Sequence, residues 1–405
     1  MRIAFLTPEY VTPTSADGGL ANYLKKTALA LAERGCQLWV FLLSGRDATW
    51  QDGQVTVCEV KRNVFLHRMR SIFPFLGITQ FFSQLASSRR IATKFWEIHK
   101  SSPFDILQAS SYMAPGYALL KNGKVPMVCR VSSYTPALRS AYGRKKSFCE
   151  SLSDWLEVQQ VAKAEASFAP SRLVSNIFFK VTGCAPTVIR TPMDIQEPIL
   201  DYSFFNAHKH RFPYLLVFGT LSRIKGVDLL ADVLPDIFEK YRDLSVVFIG
   251  RDDGLPSGKK VFAHILESCD SYGDRLFYHP AVQKAQLYSF ITNAEAILMP
   301  SRVDNYPNAC IEAQMFEKPV IGTYDSSLDE MVVDGETGFL AKNADIESIK
   351  KAIKKFLNLS SEQREAMRQK IISHIEAIKC EDRVGQLTEF YKEAINNFKV
   401  QHGEK

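Results

Sequence analysis

The chain has 405 residues, 46% hydrophobic, 23% charged and 11% aromatic, which excludes wholesale disorder and leaves room for two domains of about 100–200 residues each. The net charge of +6 is uneven: residues 1–200 hold 24 Lys and Arg against 14 Asp and Glu, residues 201–405 hold 26 against 30. A basic first half is suited to an anionic partner, whether nucleic acid, membrane or phosphate. The eight cysteines form no CxxC pair and cluster with no histidine, so reduced, buried thiols are expected, not a disulfide framework or a zinc site. The start lacks a signal-peptide core, and no apolar run reaches the roughly 18 residues of a membrane span, so a cytoplasmic location is expected.

In chain order, Ile3–Leu6 reads as a buried strand. A loop containing Pro13 and ending in Gly18-Gly19 follows, then a helix over Leu20–Arg34 and a strand over Gln37–Leu43. Further strands are expected at Ile106–Gln108, Met127–Val131, Ser167–Ala169 and Val188–Ile189. Continuous apolar strands separated by helices imply a parallel sheet covered on both faces, the doubly wound α/β arrangement. Residues 191–212, with Pro192 and Pro198 and a polar patch, read as a linker.

The rhythm then restarts. Strands are expected at Tyr214–Phe218, Ser245–Ile249, Arg275–Tyr278, Ala296–Met299 and Pro319–Ile321. Helices are expected at Val227–Tyr241, 260–268, 283–293 and 307–316, with a helical tail over 345–399. The fold class is α/β, two Rossmann-like doubly wound domains in tandem facing a cleft, with ligands at the carboxyl ends of the strands. Boundaries are placed at 1–200, 201–380 and 381–405.

Three loops carry candidate chemistry. Gly18 and Gly19 would let backbone amides approach a phosphate at a helix start, although a tight turn explains them equally well. Phe218-Gly-Thr-Leu-Ser-Arg-Ile-Lys-Gly226 leaves a strand and opens a helix, placing Arg223 and Lys225 beside a positive helix end, where an anion would bind. Pro300-Ser-Arg-Val-Asp-Asn-Tyr-Pro-Asn308 puts Asp304 on a loop and Pro307 at the first helical position, with Glu312 inside that helix. The amides after Asn305 would be free for a diphosphate.

Together these segments resemble the retaining, nucleotide-sugar-dependent glycosyltransferases of family four, with GT-B architecture. The resemblance is densest from Pro300 to Leu340, in Pro-Ser-Arg-x-Asp-Asn-Tyr-Pro-Asn-x-x-Ile-Glu-Ala, Lys318-Pro-Val-Ile-Gly-Thr and Asp334-Gly-Glu-Thr-Gly338. It implies a nucleotide-diphosphosugar donor, UDP favoured over GDP, on the 201–380 domain and an acceptor on the 1–200 domain, with the 381–405 helix crossing back to the latter. It implies that Lys225, with Arg223, neutralises the leaving diphosphate, that Glu312 holds the ribose and that Asp304 contacts the transferred sugar. Asn305, Tyr306, Pro307, Asn308, Gly18 and Gly19 would complete the donor site. No metal and no other cofactor are implied.

Three positions depart from the family pattern: Thr220 stands for an arginine, Ser132 and Ser133 stand where a histidine is common, and Asp304 stands for a glutamate. Arg130, Ser132 and Ser133 are the acceptor-side candidates. Residues 61–100 hold eight Lys and Arg and a single acid, interleaved with Phe65, Phe73, Phe75, Leu76, Phe81, Phe82 and Trp96. With Arg144-Lys145-Lys146 they suit an anionic membrane surface or a lipid-linked acceptor, or equally a solvated helix face. The expected partners are a nucleotide sugar and a glycan or lipid-linked acceptor, with no nucleic acid, as in surface polysaccharide or glycoconjugate biosynthesis by a peripheral membrane protein. Competing readings are a sugar-nucleotide-binding scaffold without turnover and an epimerase of the same fold.

Overall fold

The computed structural model describes residues 1–12, 18–62, 78–144, 148–192, 198–208 and 213–403. The chain divides into two compact units, the first of Met1–Arg139, Lys145–Asp194 and Asp382–Lys405, the second of Ser140–Arg144 and Ile195–Glu381.

The first unit is built on an eight-stranded sheet: β1 (Arg2–Thr7), β2 (Gln37–Ser44), β3 (Ala48–Asp52), β4 (Val55–Lys61), β5 (Ile106–Ser110), β6 (Met127–Arg130), β7 (Ala166–Ala169) and β8 (Thr187–Val188). The order is β3-β4-β2-β1-β5-β6-β7-β8. All pairs are parallel except β3 with β4, a hairpin closed at Asp52–Val55. This hairpin was not among the expected elements. β1 and β5 are buried almost throughout, as strands covered on both faces must be.

The Arg383–His402 helix belongs to this first unit. Its Leu387, Phe390, Tyr391 and Ala394 share one core with Ile3, Phe5, Leu24, Leu31 and Val40. Tyr391 Oη donates to the buried Gln108 Oε1 at 2.5 Å, and the Arg383 guanidinium donates to the Thr191 carbonyl at 2.8 Å.

The second unit carries six parallel strands, β9 (Tyr214–Phe218), β11 (Ser245–Ile249), β13 (Leu276–His279), β14 (Ala296–Leu298), β15 (Val320–Thr323) and β16 (Gly338–Ala341). Their order is β13-β11-β9-β14-β15-β16, and β10 (Leu221–Ser222) pairs separately with β12 (Asp252–Gly254). Leu215, Val217, Val246 and Phe248 pack beneath the Leu230–Lys240 and Ile346–Leu357 helices. Residues 198–208 hold a short helix, Ser203–Ala207, within the expected linker; residues 193–197 and 209–212 of that linker lie outside the described residues.

Candidate active site

Strand order marks a candidate site in the second unit. From the central β9 the chain builds β11 and β13 on one side, then β14, β15 and β16 on the other. The winding reverses between β9 and β14, and open α/β sheets bind ligands outside the carboxyl ends of the strands at such a point. The loops leaving β9 and β14 there carry Lys225 and Asp304.

The two loops are joined backbone to backbone. Gly226 has φ +67°, and a Cβ there would lie 1.8 Å from the Pro300 carbonyl oxygen, so only glycine fits. The Arg302 amide donates to the Ile224 carbonyl at 2.9 Å. The Arg302 guanidinium donates to the Arg223 carbonyl at 2.6 Å and forks onto Asp228 at 2.5 and 3.0 Å. Asn343 in turn donates to the Arg302 carbonyl at 2.8 Å. The β9 loop is thereby held against the β14 loop. Arg302 and Asp228 went unnoticed in the sequence, where nothing marks them as a pair.

Lys225 Nζ donates to Asp304 Oδ2 at 2.5 Å, and Ser301 Oγ donates to the same oxygen at 3.3 Å. Asp304 is buried at 8% exposure, whereas the Lys225 side chain is 36% exposed. The amine thus remains reachable while its acid lies inside. Arg223 stands 4.0 Å from Asp228. Both expected cations therefore have acidic partners, yet Arg223, Lys225 and Arg302 outnumber Asp228 and Asp304 by one, a surplus that favours an anion.

The β14 loop corrects two expectations. The first amide after Asn305 is not free: Tyr306, at φ +59° and buried, turns its N–H onto Ser327 Oγ at 2.7 Å, and the N–H of Asn305 itself donates to Asp304 Oδ1 at 3.0 Å. Pro307 lies one residue ahead of the helix, at φ −67° and ψ 129°, rather than at its first position; extended backbone is what turns the chain into the Asn308–Met315 helix. That helix has no side-chain cap, so its leading amides at Asn308 and Ala309 provide the positive end.

Glu312 sits in this helix with Oε1 3.4 Å from Lys284 Nζ. Burial works against the Lys284 ammonium, but hydrogen bonding to Tyr288 and the Glu312 charge outweigh it and hold its pKa above the ordinary lysine value. Lys284 opens the helix Lys284–Asn293 after β13; no sequence pattern flagged it. Thr220, half-buried, follows Gly219 with its φ of +103°. Among the described residues no group of His, Cys, Asp and Glu is arranged to hold a metal ion.

In the first unit, Gly18 has φ +110° and Gly19 opens the Gly19–Glu33 helix; residues 13–17 of that loop lie outside the described residues. Arg130 is not an open cation. It is buried at 6% exposure, lies over the Tyr23 ring at 3.5 Å and donates to Ser132 Oγ at 2.9 Å. Burial lowers its pKa, and the charge and hydrogen bonding of the Tyr23 phenol compensate in part. Ser132 and Ser133 are half-buried just beyond β6.

Of the basic stretch, Phe65, Arg68, Arg70, Phe73, Phe75 and Leu76 lie outside the described residues, as do Lys145 and Lys146. In the Ile78–Ser101 helix, Phe95 is a core residue, Lys94 pairs with Glu97 at 2.8 Å, and Arg90 stands 3.8 Å from Asp47, while Phe82 is exposed. No helix among the described residues is long and apolar enough to cross a membrane.

Comparison with known proteins gives the family and the fold. The model described as "Glycosyl transferases group 1" matches residues 199–374, and the one described as "Glycosyltransferase Family 4" matches residues 17–197. The chain belongs to the family-four glycosyltransferases. A D-inositol 3-phosphate glycosyltransferase of Xylanimonas cellulosilytica is 26% identical over 133 residues, 33% of this chain and 31% of that one, so the match spans about a third of that relative's length. Sucrose-phosphate synthase from Thermosynechococcus elongatus superposes with a TM-score of 0.74 at 15% identity, over 97% of this chain and 98% of that chain. Anabaena HepE, solved in complex with UDP-glucose, gives 0.68 at 16% identity, over 98% and 99%. At such identities these likenesses establish the fold, GT-B, and the family-four assignment adds the glycosyltransferase class.

Proposed function

We propose that this glycosyltransferase is a metal-independent, retaining hexosyltransferase. It moves a sugar from a nucleotide diphosphosugar, UDP-linked in preference to GDP-linked, to a hydroxyl of a glycan, glycolipid or lipid-linked acceptor. The role suits surface polysaccharide or glycoconjugate assembly at the inner face of a membrane. The observation that carries the reading is the partly open Lys225 amine beside Asp304, at the reversal point of the sheet and on a loop with a cationic surplus. The structural neighbour HepE was solved with UDP-glucose, which favours uridine.

Chemically, the anomeric carbon–oxygen bond must lengthen while the diphosphate gathers its electron pair. Lys225, Arg223 and the uncapped head of the Asn308–Met315 helix stabilise that developing charge. The acceptor oxygen attacks the same face of the anomeric carbon, and its proton passes to the departing phosphate oxygen, so configuration is retained and no further base is needed. Glu312 holds the ribose hydroxyls once Lys284 shares it. Asp304 accepts from the transferred sugar.

A thermal-shift panel of UDP- and GDP-sugars tests the donor, since a ligand that binds only the folded state raises its melting point. Stabilisation by a UDP-sugar followed by release of UDP supports the proposal. No shift with any nucleotide sugar overturns it, and binding without release under any acceptor leaves a sugar-nucleotide-binding scaffold.

A further inference from the structure

Asp304 is followed by a backbone that few residues tolerate. Tyr306, two residues on, is buried with φ of +59°, a left-handed conformation unfavourable for a bulky side chain. The loop after β15 holds a second such residue, Ser327, with φ of +62° and no exposure. The two are joined, since the Tyr306 N–H donates to Ser327 Oγ at 2.7 Å. Left-handed residues other than glycine persist only where their surroundings impose them, and they concentrate at functional sites. Glycine would suit the Ser327 backbone better, but it would lack the oxygen that takes the Tyr306 N–H.

Ser327 is able to impose a conformation because its own position is fixed from several sides. It precedes the short 3₁₀ turn Leu328–Glu330. Leu328 is fully buried against Gly322, where an added Cβ would lie 2.9 Å from its side chain. Gln314, also fully buried, donates to the Met331 carbonyl at 2.9 Å and ties the Asn308–Met315 helix to the same turn. Buried hydroxyls link the β15 end to Asp304 as well. Ser326 Oγ donates to the Thr323 carbonyl at 2.7 Å, Thr323 Oγ1 donates to the Ser301 carbonyl at 2.5 Å, and Ser301 Oγ donates to the Asp304 carboxylate.

These ties divide the work. Gln314 holds the helix in place whether or not Ser327 carries a hydroxyl. Between Asp304 and that helix, Tyr306 is the residue whose conformation turns the chain, and Ser327 holds its N–H. Without that hydrogen bond Tyr306 can relax toward an ordinary φ, which re-aims Asp304 relative to the helix. A misplacement of about 1 Å at a reacting centre can cost about 10²-fold in rate.

We propose that Ser327 is a positioning residue of the transfer reaction: its hydroxyl, through the Tyr306 N–H, sets the direction in which the Asp304 carboxylate meets the transferred sugar. The role rests on the donor reading above, in which Asp304 accepts from that sugar, and it makes the β15 loop part of the reacting geometry.

The test uses the full chain with Ser327→Gly and Ser327→Ala. UDP release is measured from UDP-glucose, UDP-galactose and UDP-N-acetylglucosamine with water as acceptor, UDP alone is titrated, and each variant is melted. Both variants lose the oxygen, so both should lower kcat by about 10–100-fold. UDP has no sugar to meet Asp304 and should bind within about two-fold of wild type. Alanine keeps the left-handed strain and glycine relieves it, so Ser327→Ala should melt below Ser327→Gly. A kcat that follows the melting temperature, instead of the missing oxygen, overturns the role. In an Asp304→Asn background Ser327→Gly should cost less than about two-fold, because the group it aims is already changed; a full additional loss overturns the role too. So does kcat within about two-fold of wild type, or UDP affinity that falls in step with kcat. The two readings fail separately. Wild type that releases no UDP from any of the three sugars overturns the transferase reading and this role with it, whereas active wild type beside Ser327 variants of unchanged kcat overturns only the role of Ser327.

Discussion

The Lys225 amine meets its acid at 2.5 Å while a third of its side chain remains open. An arriving diphosphate competes with Asp304 for it. Lys225→Ala should therefore lower kcat by about 10²–10³-fold, the scale of losing one charge-stabilising donor. The melting temperature should also fall, because the change leaves the buried Asp304 carboxylate without its counter-charge. Steady-state kinetics beside a melting curve check this, and undiminished kcat would remove Lys225 from the chemistry. Glu157 carries a different expectation. Burial pushes its carboxyl up to about 7 from an ordinary 4.5, against the pull of the hydrogen bonds from Thr135 and Met113. The folded chain then holds that proton more tightly than the unfolded one, so this contribution to stability falls as pH rises from about 4.5 to about 7 and levels off above. Glu157→Gln cannot titrate, and urea midpoints measured between about pH 5 and pH 8 should show a flatter decline than wild type.

At the scale of elements, backbone contact between the β9 and β14 loops is decided by Gly226. Alanine there combines φ of +67° with a Cβ 1.8 Å from the Pro300 oxygen, and should cost about 2–4 kcal/mol. Gly258, at φ +87° with nothing within 4 Å, isolates the backbone cost, so its alanine variant should lose only about 1 kcal/mol. Urea unfolding of the pair measures the difference, and equal losses would mean the close approach relaxes. Both parallel sheets were legible because strands such as Ser245–Ile249 and Tyr214–Phe218 are continuous apolar runs with clear helical spacers. The β3–β4 hairpin was not: Ala48–Asp52 alternates half-buried with exposed residues, a faint period beside its neighbours, although Asp52-Gly53 is a hairpin turn signal. Within the site, Lys225, Asp304 and Glu312 stood out by motif. Arg302, Asp228, Ser327 and Lys284 did not, because pairing across separate loops leaves no local pattern. The conformation of Tyr306, which withdraws the amide expected to face a donor, is likewise set by tertiary contact with Ser327.

For the whole molecule, the Arg383–His402 helix is a core component of the first unit. Leu387, Phe390 and Tyr391 are buried against β1 and β2. Three large apolar side chains at about 1.5–3 kcal/mol each amount to about 5–9 kcal/mol, a large part of the roughly 5–15 kcal/mol that holds a domain. Truncation after Glu381 should therefore leave the first unit unfolded or aggregated, read by loss of near-ultraviolet circular dichroism from Trp39 and Trp50. A truncated chain that melts like the full one would show the helix to be dispensable.

That same helix inverts the order in which the chain can mature. Residues Met1–Asp194 leave the ribosome first, yet their core stays open until Leu387, Phe390 and Tyr391 emerge, after the intervening Ile195–Glu381 has been made. At about 5–20 residues per second, those 187 residues take about 10–40 s. During that interval the later unit, whose Ser140–Arg144 segment is already made, can complete its fold while the earlier one waits with apolar surface bare, the stage of synthesis at which a chaperone has most to protect.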